Sequence, residues 1–137
     1  MVDLVRMEHT VNHVEYPEMR AEVVHALRAL ADLDYQQRVW VRHELPHPNY
    51  YDEFALEIHI LYDDTRLLEL LDEAKTGEVL RDEDEREALR PLRDALDTLF
   101  DRHGMKLTDE QYMTTPEWTA VVSAAQAALP VFTIEKN

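Results

Sequence analysis

His59 and Asp63 stand four residues apart in "NYYDEFALEIHILYDDTRLL", residues 49–68. That spacing carries chemistry in a helix, where i and i+4 side chains share a face and an imidazole nitrogen and a carboxylate oxygen can meet on one cation. Asp64 and Glu57 offer further oxygen nearby. His9 and His13 form a second i,i+4 pair close to the N-terminus. Neither pair is matched by another of the same spacing, unlike the paired Glu-x-x-His motifs of di-iron bundles. The plain structural reading places His59 at the rim of a core and makes Asp63 and Asp64 a solvated helix end. With no cysteine in the chain, any metal must be held by His, Asp and Glu. A glycine-rich phosphate loop, a G-x-S-x-G elbow and an H-E-x-x-H motif are all absent from the sequence, so no catalytic residue is assigned and no cofactor is expected.

The elements that position these residues follow from periodicity. Read with period two, Phe54, Leu56, Ile58, Ile60 and Tyr62 share a strand face; read with period 3.6, Phe54, Ile58 and Leu61 share a helix face. Asn49 as a cap with Asp52 three residues on favours the helix, from about Tyr50 to Asp63, and no hairpin turn lies nearby. This reading leaves Glu57 off the buried face, where truncation costs little, whereas Ile58 belongs to the core. Leu67, Leu70 and Leu71 continue helical spacing to Gly77.

Elsewhere, Leu4, Met7, Val11 and Val14 behind Asp3 predict a short N-terminal helix. Pro17 opens a helix carrying Met19, Val23, Leu27 and Leu30, and Asp34 is the expected cap of a segment with Tyr35, Val39 and Trp40. Pro46 and Pro48 in "HELPHPNYY" forbid continuation. Asp82 with Glu85 predicts the start of the strongest amphipathic stretch, Leu89, Leu92, Leu96, Leu99 and Phe100, with a kink or restart expected at Pro91. Gly77 and Gly104 read as helix stops. Thr108 with Gln111 marks a short helical turn. Thr115 and Pro116 open a last helix with Trp118, Val121, Val122, Ala125 and Leu129 inward, which Pro130 is expected to end. The prediction is an all-α fold: one domain over 1–137, a compact bundle of about five or six helices, with residues 1–16 and 130–137 peripheral.

Charge narrows the partners. The net charge of −15, from 29 acids against 14 bases, excludes nucleic-acid or anionic-membrane binding through a broad basic patch and suits a basic protein. The N-terminus lacks the pattern of a signal peptide, and no segment reaches the roughly 20 apolar residues of a membrane span, so the expected location is the cytoplasm. The candidate partner-binding face comprises Tyr50, Tyr51, Asp52, Glu53, Asp63, Asp64, Asp82, Glu83, Asp84 and Glu85. At the loop-to-helix junction one ring of Tyr50 and Tyr51 can pack inward while the other stays at the surface. The sequence assigns no oligomeric state.

The stretches "YQQRVWVRHELPHPNYYDEFALEIHILYDDTRL", "LRDEDEREAL" and "TPEWTAVVSAAQAAL" resemble a family of short, acidic, helix-rich actinobacterial proteins without an assigned activity. The likeness runs over residues 17–129. It rests on the tyrosine pair followed by acids, the run from His59 to Asp64, and the Pro-x-Trp at Pro116 to Trp118. It implies a helical fold and supplies no site residues. Two functions follow from the residues: a non-catalytic, immunity- or inhibitor-like protein that occludes a basic partner, or a small metal-binding protein or metal-dependent enzyme centred on His59 and Asp63.

Overall fold

A computed structural model describes residues 13–135. Helix α1 runs Pro17–Ala31. Helix α2 begins as Leu33–Tyr35 and continues in a π-helical turn, Gln36–Val41; α3 likewise begins as Phe54–Ile58 and continues as a π-helical turn, His59–Asp64. Then come α4, Glu83–His103, α5, Asp109–Met113, and α6, Trp118–Thr133. There is no strand among the described residues. The expected helix around Leu4 to Val11 lies outside them. Just beyond it Val14 is buried, and the Glu15 and Tyr16 amides donate to the carbonyls of Gly77 (2.7 Å) and Glu78 (2.9 Å).

Helix α6 packs against both α1 and α4, and the three supply the bundle's frame. Its apolar layer joins Val23, Leu27 and Leu30 of α1, Leu89, Leu92, Leu96 and Leu99 of α4, and Trp118, Val121, Val122 and Ala125 of α6. Across one end lies an aromatic cluster centred on Phe54, with ring centroids 4.9 Å from Trp118, 5.2 Å from Tyr112 and 5.8 Å from Trp40. Phe54, Ile58 and Leu61 are buried together, so the helical reading of the segment holds.

Its boundaries differ from expectation. Asn49 lies in a turn and caps nothing; α3 starts at Phe54, whose amide donates to Asp109 Oδ2 (3.1 Å), an acceptor 55 residues away. The cap of α2 is Asp32, whose Oδ1 accepts from the Tyr35 amide (3.0 Å), while Asp34 pairs with Arg38. Residues 67–73 form successive turns instead of the expected helix, held to α4 by the buried Arg86, which donates to the carbonyls of Leu71 and Ala74. Gly77 therefore sits in a turn, whereas Gly104, at φ 72°, does end α4. Helix α4 is one element through Pro91, an exposed residue. Helix α6 passes through Pro130, an exposed residue, and ends only at Thr133, where the carbonyls of Val131, Phe132 and Ile134 accept from Arg20 and Arg81. The caps Asp82 and Thr108 with Gln111 stand where the sequence puts them.

Both π-helical turns are closed by a non-glycine residue in the left-handed region, His43 (φ 57°) and Arg66 (φ 54°). A β-carbon is disfavoured there, and removing it offsets the extra backbone entropy of glycine. His43→Gly is expected to raise stability by about 1 kcal/mol in urea titration.

Candidate functional site

Three ionisable side chains converge where α1 faces the start of α3. His25 projects from the middle of α1, Asp52 precedes α3, and Glu57 lies in its first turns. One ligating atom of each lies within 4.8 Å of the other two. Glu57 is fully buried and Asp52 is 4% exposed, whereas the His25 side chain is 47% exposed. His25 Nε2 stands 3.2 Å from Glu57 Oε2, yet no donor is directed at either Glu57 oxygen in hydrogen-bond geometry. A bare carboxylate in such a place costs of the order of several kcal/mol if ionised. Burial accordingly pushes the Glu57 pKa up to about 7; His25 opposes the rise and the adjoining Asp52 adds to it. Contact with Glu57 raises His25 above the usual imidazole range, against its own partial burial.

Asp52 is held from behind. Its Oδ2 accepts from Tyr35 Oη (2.7 Å) and from Trp40 Nε1 (2.9 Å), and the Tyr35 hydroxyl also bonds that of Tyr50. Burial first, then Tyr50 and Asp52, raise the Tyr35 phenol pKa, so it remains a donor. Both donors to Asp52 come from α2, Tyr35 in its first turn and Trp40 in its π-helical turn. Tyr50 thus packs inward and Tyr51 stays 59% exposed, the division that the junction suggested.

His59 and Asp63 lie elsewhere, on the wall of a half-open groove of about 410 Å³ between α3, the end of α4 and α5. Their side chains, each 62% exposed, pair directly, His59 Nδ1 to Asp63 Oδ2 at 2.5 Å. Phe54, Phe100 and Tyr112 supply an aromatic floor, with Asp63, Asp109 and the exposed Met105 around it. Among the described residues the one group of three close potential ligands is His25, Asp52 and Glu57, and it includes neither His59 nor Asp63.

The expected acidic face is not one surface. Asp52 is buried within the cluster with His25 and Glu57, and Glu85 is fully buried between Arg20 (2.7 Å) and Arg81 (2.6 Å). Tyr51 and Glu53 precede α3 and Asp63 and Asp64 close its π-helical turn, only Asp63 of the four lining the groove, while Asp82, Glu83 and Asp84 stand at the start of α4, roughly 25 Å from Phe100 at 1.5 Å rise per residue. Glu57 was expected to be dispensable, and its burial reverses that. The signal was present: 54, 57, 58 and 61 follow the i, i+3, i+4, i+7 rule of a buried stripe, and Glu57 occupies one of its positions. His25 and Tyr35 carried no comparable sequence signal, since their partners are distant in the chain.

No helix among the described residues is long and apolar enough to cross a membrane. Residues 14–136 match the family model described as a domain of unknown function (DUF7945), and the chain belongs to that family. No curated protein and no solved structure matches it.

Proposed function

We propose that this member of the DUF7945 family is a non-catalytic acidic module that binds and occludes a basic protein in the cytoplasm, in the manner of an immunity or inhibitor protein. The observation that carries this reading is the groove beside α3: an aromatic floor under carboxylates, on a chain of net charge −15. A lysine or arginine side chain suits both parts of it. The aliphatic stem lies on Phe100 and Tyr112, the cation gains from the ring faces, and Asp63 and Asp109 meet the charge. Asp64 next to Asp63 and the exposed ring of Tyr51 ahead of α3 would extend the surface a partner covers.

Rim charges act mainly on encounter. With a basic partner in hand, Asp63→Asn/Asp64→Asn is expected to slow association several-fold and to flatten its salt dependence, read by stopped-flow at two ionic strengths. Asp82→Asn/Asp84→Asn, at the far end of α4, is expected to change the rate less. Equal rates and equal salt slopes for all three proteins would remove the groove from the interface.

The second reading is metal binding at His59 and Asp63. Its support is the close pair itself, which lacks a third neighbouring ligand among the described residues.

A further inference from the structure

We propose that His25, Asp52 and Glu57 form a binding site for one divalent transition-metal ion, of the zinc or manganese class, separate from the groove. The donor set is one imidazole nitrogen and two carboxylates, brought together from α1, the chain before α3, and α3 itself. Donors sharing an ion at roughly 2.0–2.2 Å stand about 3.3–3.6 Å apart in a tetrahedral shell and up to about 4.4 Å apart when trans in an octahedral one. Atoms already within 4.8 Å of one another close by about an ångström on a tetrahedral ion and by less on an octahedral one, and the half-exposed His25 ring has room to supply it.

The second observation is Glu57. Its carboxylate is fully buried and aimed into the cluster, with no hydrogen-bond donor on either oxygen. A proton would satisfy one oxygen and leave the other with only the poorly aligned His25 Nε2 at 3.2 Å. A cation answers both carboxylates at once and takes the lone pair of a neutral imidazole. The support behind Asp52 is of the kind that metal ligands have: Tyr35 and Trp40 both donate to Oδ2, and Tyr50 holds Tyr35, so the carboxylate is oriented by an outer layer of hydrogen bonds. The half-exposed His25 provides the way in, and three protein ligands leave coordination positions for water. A π-helical turn at Trp40 and another directly after Ile58 flank the cluster, a local geometry found often at functional sites.

The test is calorimetric titration of the full chain, stripped with chelator, with Zn²⁺ and separately with Mn²⁺. Saturable binding of one equivalent is expected, together with a higher thermal midpoint. His25→Ala, a substitution at a half-exposed position, is expected to weaken binding by at least the roughly 10–100-fold that loss of an outer-shell partner costs. Glu57→Gln should abolish it, and if that variant fails to fold, His25→Ala still decides. His59→Ala is expected to bind as the wild type does. Absence of saturable binding by the wild type would overturn the site. So would full affinity in His25→Ala, or loss of the ion in His59→Ala, which would move the ion to the groove.

Discussion

Glu85→Ala is expected to lower the free energy of unfolding by about 3–5 kcal/mol, the cost of removing one partner from a buried ion pair. The Glu85 carboxylate receives Arg20 through two bonds of 2.7 Å, the Arg81 amide at 2.8 Å and its Nε at 2.6 Å. The same two arginines continue outward. Arg20 reaches the carbonyls of Val79 and Phe132 and lies over the Phe132 ring, and Arg81 reaches Val131 and Ile134. One carboxylate thereby fastens α1, the start of α4 and the end of α6. Truncating it takes this shared carboxylate away from two guanidinium groups that are only 13% and 5% exposed. Asp34→Ala, which removes an ion pair with Arg38 that is exposed on both sides, should cost no more than about 1 kcal/mol. Urea titration of both variants checks the contrast, and equal midpoints would mean that the network contributes nothing beyond surface pairing.

Gln36→Ala is expected to cost about 2–4 kcal/mol, from a cavity and from polar groups left without partners. Gln36 is fully buried in the π-helical turn of α2. Its amide nitrogen donates to the carbonyls of Ala29 (2.9 Å) and Leu30 (3.0 Å), which close the end of α1. Its oxygen accepts from Trp118 Nε1 at 3.0 Å, tying α6 to the same point. The methyl group of alanine replaces none of these. Thermal and urea unfolding measure the loss, and a near-neutral result would show that water substitutes for the amide. Because Trp118 touches both Trp40 and Phe54, the loss should also appear as a change in tryptophan fluorescence of the folded state.

Local signals were legible in the sequence and distant partners were not. The stripe Phe54, Ile58 and Leu61, the caps at Asp82 and Thr108, and the stop at Gly104 depend on residues within four positions, so periodicity and capping chemistry reach them. The cap of α3 comes from Asp109, and the stops at His43 and Arg66 use residues that do not advertise a left-handed conformation. Charge misled most. In a chain with 29 acids any single carboxylate reads as surface, yet Glu57 and Glu85 both fall on buried stripes, Glu85 in register with Leu89, Leu92 and Leu96. A charged residue at a core position of an amphipathic pattern signals either a buried ion pair or a site. Glu85 is the first, closed by Arg20 and Arg81, and the open carboxylate of Glu57 is what separates it from that case. The His59–Asp63 spacing was read correctly as a contact, and its exposure places it on the groove wall.

The occlusion of a basic protein at the groove is tested most directly by site-specific photo-cross-linking in host lysate. A benzophenone side chain replaces the exposed Met105 beside the groove or, in a second protein, the exposed Glu87 near the start of α4. The account predicts one dominant adduct from position 105, containing a protein of strongly basic composition, lost at high salt and much weaker from position 87. Equal labelling from both positions, or an adduct from position 105 with an acidic or neutral protein that salt does not weaken, would contradict it.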